Sequence, residues 1–176
     1  MPSPVAHGLA GLSVVWSLEG LRLLSSLSPA TKRRLLATCL LFAMVPDVDL
    51  LFTVHRGPTH SVGAALIAAV LAGGAAFWLR LPFVPIAVAC GLAYGSHVLL
   101  DWLGEDTSTP SGLMGLWPWR STYYRSGLDI FEGISRRYWL PEQFLAQNLK
   151  AVGLELAVVL PVAALAYWLR RRVSSG

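Results

Sequence analysis

Long apolar runs alternate with short polar interruptions along this chain, and the interruptions mark the elements. Residues 5–27 form a first helical segment, apolar but broken by His7, Glu19 and Arg22. Ser28-Pro29 ends it, and Thr31-Lys32-Arg33-Arg34 opens a second segment that stays apolar to Val45 and stops at Pro46. A helix over 31–45 is about 22 Å long at 1.5 Å per residue, shorter than the roughly 20 residues of a full membrane span. Its far end, with Asp47 and Asp49, is therefore expected below the membrane surface or re-entering it. Residues 50–54 are a brief apolar piece, and His55-Arg56-Gly57-Pro58-Thr59 reads as a tight loop. Thr59 is placed to N-cap a third helix from His60 to about Leu79, rich in the small residues that let helices approach closely in a bilayer. A fourth helix covers residues 85–103, with His97 and Asp101 near its end and Gly91, Gly95 and Ser96 giving a small-residue face. Residues 104–143 mix polar groups with Trp117, Trp119, Tyr123, Tyr124, Tyr138 and Trp139, in the manner of an aromatic interfacial belt; a lid or substrate groove is the second reading. Residues 149–169 are the cleanest span, closed by Arg170-Arg171-Arg172.

The pattern predicts an all-α integral membrane bundle of about four to five helices, one domain over residues 1–176 with a polar and aromatic interfacial segment. Composition agrees: charged residues are 14% of the chain, against a typical share of about 25%. Cys39 and Cys90 lie in apolar runs and read as packing residues. Residues 1–4 have no basic lead-in, so no cleavable signal is expected. With helices of alternating direction, Lys32-Arg33-Arg34, Arg80 and Arg170–Arg172 share one side, which then holds seven basic residues and no acidic one. The positive-inside rule makes that side cytoplasmic and reads the basic clusters as anchors, so no nucleic-acid partner is expected. Glu19 and Arg22, three apart, are expected to pair with each other.

Chemistry concentrates at the other end. The 17 residues 45–61 carry two aspartates, two histidines and an arginine. The helical directions bring His7, Asp47, Asp49, His55, His60, His97 and Asp101 to the non-cytoplasmic end, and all four histidines of the chain belong to this set. Imidazole and carboxylate are ligands for divalent metals, and charged groups among apolar segments are expensive to keep. His97 and Asp101, at i and i+4, project from one helical face. Seven candidates suffice for one metal, or sparsely for two. Arg56 suits a phosphoryl group through its planar fork. Glu105, and next to it Asp106, are candidates for a general base or a further ligand. Other readings stand beside this one. His55 can be a hydrogen-bonded core residue, and Asp49 a cap for residues 50–54. His97 with Asp101 can be a proton or ion relay in a transporter, and the metal can be structural in a non-catalytic adaptor.

Pro46-Asp47-Val48-Asp49, His55-Arg56-Gly57-Pro58-Thr59-His60-Ser61 and His97-Val98-Leu99-Leu100-Asp101, followed by Gly112 and Leu116-Trp117-Pro118-Trp119, resemble the membrane-bound metal-dependent hydrolases of the YdjM type, also described as LexA-binding inner-membrane hydrolases. The resemblance covers roughly His7 to Trp119. That family is in turn distantly similar to zinc-dependent phospholipase C and related single-strand nucleases, all-helical enzymes that hydrolyse phosphate esters with clustered zinc. Carried over by motif, the resemblance implies Asp47, His60, His97 and Asp101 as ligands, with His7 as their partner. The metal would be zinc, one or two ions, with manganese the alternative. The chain departs from those enzymes in lacking an amino-terminal tryptophan and a second His-x-x-x-Glu pair, which argues against a three-zinc site. The implied protein hydrolyses a phosphoester of a lipid-like substrate at the non-cytoplasmic face of a bacterial inner membrane, with membrane lipid as its surroundings and its protein partner unassigned.

Overall fold

Among the described residues of the computed structural model, five α-helices and one 3-10 helix make up the regular elements: α1 (Pro4–Gly20), α2 (Pro29–Phe42), the 3-10 helix Val45–Leu51, α3 (Val62–Trp78), α4 (Phe83–Leu103) and α5 (Pro141–Ser174). The structure describes residues 1–51, 55–106, 109–135 and 137–174. Most of the apolar piece 50–54, and Arg136, fall outside the described residues.

The helix ends follow local chemistry. Ser3 and Ser28 cap α1 and α2 by accepting the backbone N–H of Ala6 and Thr31, each with a proline in the first turn, where a missing N–H costs nothing. α1 stops at Gly20 rather than reaching residue 27: Arg22 takes a left-handed conformation (φ 60°), and Leu24 and Leu27 turn into the core instead of extending the helix. The cap of α3 is Ser61, not Thr59. The Ser61 hydroxyl accepts the Ala64 N–H at 3.0 Å, so the helix opens at Val62 and His60 stays in the loop before it. α5 begins at Pro141, well ahead of residue 149, and runs through Pro161 without a break.

α1 lies along α5 in the same direction, clamped at both ends. Ser3 gives its backbone N–H (2.8 Å) and its hydroxyl to the fully buried Glu155, and Glu19 pairs with Arg170 at 2.6 Å. Glu19 therefore serves α5, and Lys32 of α2 at 3.9 Å, rather than Arg22. This also places one carboxylate at the end expected to hold only basic groups. Glu155 lies 14 residues into α5, so about 21 Å of that helix projects past the start of α1. The projecting part holds the chain between Gly133 and Ser135: Asn148 bonds both backbone groups of Ser135, and Gln147 donates to the Gly133 carbonyl.

α3 and α4 meet on a seam of small residues. A Cβ at Gly91 would come within 2.7 Å of the Ala69 Cβ, and one at Gly73 within 2.9 Å of the Ala87 Cβ. A second core joins Val15 and Leu18 of α1, Leu35 and Cys39 of α2, and Ala89, Cys90 and Ala93 of α4. α4 and the stretch Pro141–Val173 of α5 are each long and apolar enough to cross a membrane, and α3 is a shorter apolar helix. Large apolar side chains such as Val70, Phe77, Val162 and Leu165 point outward from these helices.

The loop 113–117 docks on the first turn of α3, where orphan N–H groups need partners. Val62 donates to the Gly115 carbonyl at 2.9 Å and Gly63 to the Trp117 carbonyl at 3.1 Å. A Cβ at Gly63 would overlap that Trp117 carbonyl and the Pro118 ring. Gly63→Ala is expected to cost about 1–3 kcal/mol through this overlap. Gly74→Ala, in the same helix with nothing within 4 Å of the added atom, is expected to be neutral or to gain about 0.5–1 kcal/mol. Thermal unfolding of the two variants in detergent compares them; equal midpoints would contradict the close docking.

Candidate metal centre

Four side chains from three different elements meet at one end of the bundle. Asp47 comes from the 3-10 helix, His60 from the loop before α3, and His97 and Asp101 from adjacent turns of α4. One atom from each lies within 4.8 Å of the other three, and these groups could hold a metal ion. The separations are consistent with one central ion. His60 Nε2 stands 3.1 Å from His97 Nε2, 3.2 Å from Asp101 Oδ2 and 3.7 Å from Asp47 Oδ1. His97 Nε2 stands 3.6 Å from both Asp47 Oδ1 and Asp101 Oδ2. Four ligands bound tetrahedrally at about 2.0–2.1 Å lie roughly 3.3–3.4 Å apart.

The imidazole tautomers sharpen the fit. His97 Nδ1 faces the Ala43 carbonyl at 2.8 Å, an oxygen that only accepts, so Nδ1 carries the hydrogen. His60 Nδ1 faces Asp49 Oδ2 at 3.1 Å and is a donor by the same logic. In the neutral rings both Nε2 atoms then offer lone pairs across 3.1 Å, an arrangement that needs a proton or a metal cation between them. The carboxylates are equally unspent. Asp47 Oδ1 and both oxygens of Asp101 are buried with no hydrogen-bond partner among the described residues. His7 completes this side: its ring stacks on His97 with centroids 3.7 Å apart, and its Nε2 lies 3.4 Å from Asp101 Oδ1.

A ring of polar contacts fixes the loop residues. Asp49 accepts from His55 Nδ1 at 2.6 Å, from the Arg56 backbone N–H at 3.1 Å and from the Thr59 hydroxyl at 2.6 Å, besides facing His60. Burial opposes its charge, but the hydrogen bonds from His55, His60 and Thr59 outweigh that and hold its carboxyl well below the usual range. Burial likewise opposes a charge on His60, yet the carboxylates of Asp101, Asp47 and Asp49 close beside it push its pKa up to about 10. Asp49 thus has the contacts of a carboxylate that orients a ligating histidine from behind.

The remaining expected residues have distinct places. His55 is partly exposed and belongs to a second metal-compatible group with Asp47, Asp49 and His60; its Nε2 lies 3.2 Å from the Met1 sulfur. Arg56 is buried in a left-handed conformation (φ 62°), its guanidinium paired with Asp106 and its carbonyl accepting the Met114 N–H at 3.0 Å. Asp106 in turn accepts the Gly112 N–H at 2.6 Å. The Glu105 side chain is exposed, and its backbone bonds to Phe131 and Met1. Sequence reasoning missed Thr59 as a partner of Asp49, although it stands within the His-Arg-Gly-x-Thr-His motif. It also missed Tyr94, whose hydroxyl holds the Thr59 carbonyl at 2.7 Å, for which an apolar helix gives no signal.

Metal ligands must be deprotonated, so an ion entering the tetrad displaces the proton that His60 holds up to about pH 10. Apparent affinity for zinc or manganese is expected to rise about tenfold per pH unit between pH 6 and 9, with one proton released. Calorimetric titrations in buffers of different ionisation enthalpy read both quantities. His97→Ala is expected to abolish binding and Asp49→Asn to weaken it about 10–100-fold. Affinity that does not change with pH, or that is unaltered in His97→Ala, would count against this site.

No curated protein and no solved structure matches the chain. The family described as YdjM inner membrane protein matches it over residues 1–173, nearly its whole length. With its membrane-length helices and its buried histidine and aspartate cluster, the chain belongs to the YdjM inner membrane protein family.

Proposed function

We propose that the protein is a metal-dependent hydrolase of a phosphoester carried by a lipid-like molecule. One observation supports this above the rest. Asp47 is the least buried member of the tetrad, and it sits in the 3-10 helix whose Val45, Val48, Leu50 and Leu51 are exposed. The most open ligand therefore lies within an apolar lip, a surface suited to a substrate arriving from the bilayer.

In this reading Asp47, His60, His97 and Asp101 hold one divalent ion, zinc by the nitrogen and oxygen donor set, or manganese. Such an ion, when bound, supplies Lewis acidity at a phosphoryl oxygen and lowers the pKa of water. The chain supplies the rest. Asp49 and the Ala43 carbonyl keep His60 and His97 in one tautomer each, so both Nε2 lone pairs stay directed inward. His7 packs the closed side against His97. His55, oriented by Asp49 and partly exposed, is the proton carrier; its place beside the tetrad favours it over the surface residue Glu105. Arg56 spends part of its fork on Asp106, and a guanidinium has five donors, which leaves capacity for a phosphoryl oxygen. The basic residues at the far end of the bundle orient the site away from the cytoplasm.

Hydrolysis of phospholipid and of a chromogenic phosphodiester by the purified protein in nanodiscs, loaded with zinc or manganese, tests the reading. His60→Ala and His97→Ala are expected to lose activity at least 10²-fold, and His55→Ala to lose about 10²–10⁴-fold while keeping its metal. Activity unaltered in both ligand variants would overturn it, as would metal-independent ion flux that requires Asp101.

A further inference from the structure

A second feature of the bundle lies on a different face of α4 from the metal centre. His97 and Asp101 point into the bundle, whereas Gly91, Gly95, Val98 and Trp102 face an open groove between α3 and α4. The groove has a volume of about 810 Å³, within the roughly 300–1,000 Å³ of small-molecule sites. The small-residue seam forms its floor, and Leu66, Val88, Leu92 and Leu99 form its walls. Along α4 it extends from Ala87 to Trp102, about 22 Å, which exceeds the roughly 15 Å hydrocarbon depth of one bilayer leaflet.

An apolar lining offers water nothing to bond, so the groove suits hydrocarbon. Its mouth, at the metal-centre end, adds chemical specificity. There Leu113, Leu116, Tyr124 and Arg125 close over the top. Arg125 Nη2 stands 3.6 Å from Asp129 Oδ1, with both side chains nearly half exposed. Such a surface pair is worth little by itself and opens readily to other partners. The mouth therefore offers one cation and one anion side by side, above a channel as deep as a lipid tail. A phosphate with a nearby ammonium group complements that pair, charge for charge.

We propose that the groove between α3 and α4 binds one acyl chain of a zwitterionic phospholipid, with its phosphate on Arg125 and its ammonium against Asp129. The groove holds the tail and the Arg125–Asp129 pair selects the head group. The site is separate from the tetrad and does not rest on the hydrolase reading.

Photolabelling of the full chain in nanodiscs, with a phosphatidylethanolamine carrying a diazirine in its acyl chain, tests this. Labelled peptides are expected to concentrate on residues 62–69 and 87–102, several-fold above the equally outward-facing Val158, Val162 and Leu165 of α5. Leu66→Trp, which fills the groove from an exposed position, is expected to reduce the excess to the α5 level, with Leu99→Trp as a second variant should the first fail to fold. Arg125→Gln is expected to remove the preference for phosphatidylethanolamine over a diacylglycerol probe of the same chain. Labelling equal to that of α5 would mean surrounding bulk lipid only and would overturn the proposal. So would a preference insensitive to Arg125→Gln, or an unlabelled groove in which Leu66→Cys copies crosslink to each other.

Discussion

Two imidazole nitrogens facing each other across 3.1 Å, in a place closed to solvent, set the terms for this end of the molecule. Lone pairs at that distance repel unless a proton or a metal cation lies between them, and the surrounding carboxylates make either one welcome. The arrangement persists only because each ring is held from behind. The carbonyl of Ala43, just past α2, holds His97, and Asp49 holds His60. Asp49 is itself held by Thr59, whose carbonyl is tied to Tyr94 of α4. The packing of α2, α3 and α4 at this end thus serves one constraint, that two lone pairs and two carboxylates converge.

A polar cluster of this kind sits among apolar helices only if its backbone and side chains are satisfied locally. The loop before α3 meets that demand through Asp49, which takes up the Arg56 N–H as well as three side-chain donors. Arg56 and Asp106 neutralise each other where both are buried, and Asp106 also accepts from Gly112. Glu155, fully buried inside α5, does the same for the start of α1, accepting the backbone N–H and the hydroxyl of Ser3. That clamp fixes α1 against α5 and, through α1, sets the height of His7. The fold and the site are therefore linked by a few buried carboxylates, each holding the end of a neighbouring element.

The all-helical membrane architecture was legible because runs of apolar residues broken by proline, glycine and charge leave few alternatives. The neighbourhood of His97 and Asp101 was legible for a similar reason: a spacing of four on a helix has a fixed geometric meaning. What could not be read depended on partners distant in sequence. Glu155 lies in an otherwise apolar run, and only the fold shows that Ser3 awaits it. Glu19 looked matched to Arg22 three residues on, but a left-handed turn carries Arg22 away and Arg170 takes the carboxylate. Thr59 and Ser61 are both capping residues by type. The loop engages the Thr59 hydroxyl with Asp49, which leaves Ser61 to cap α3 and His60 free of the helix. Asp49 shows the same limit: beside Asp47 it read as a candidate ligand or a cap, and only the fold shows the four partners it holds.

X-ray absorption spectroscopy of the zinc-loaded protein in detergent measures the centre most directly. The account predicts a first shell of nitrogen and oxygen at about 2.0–2.1 Å, with the multiple-scattering signature of two imidazoles. A shell without imidazole scattering, or one built only from oxygen, would contradict the convergence of His60 and His97 on one ion.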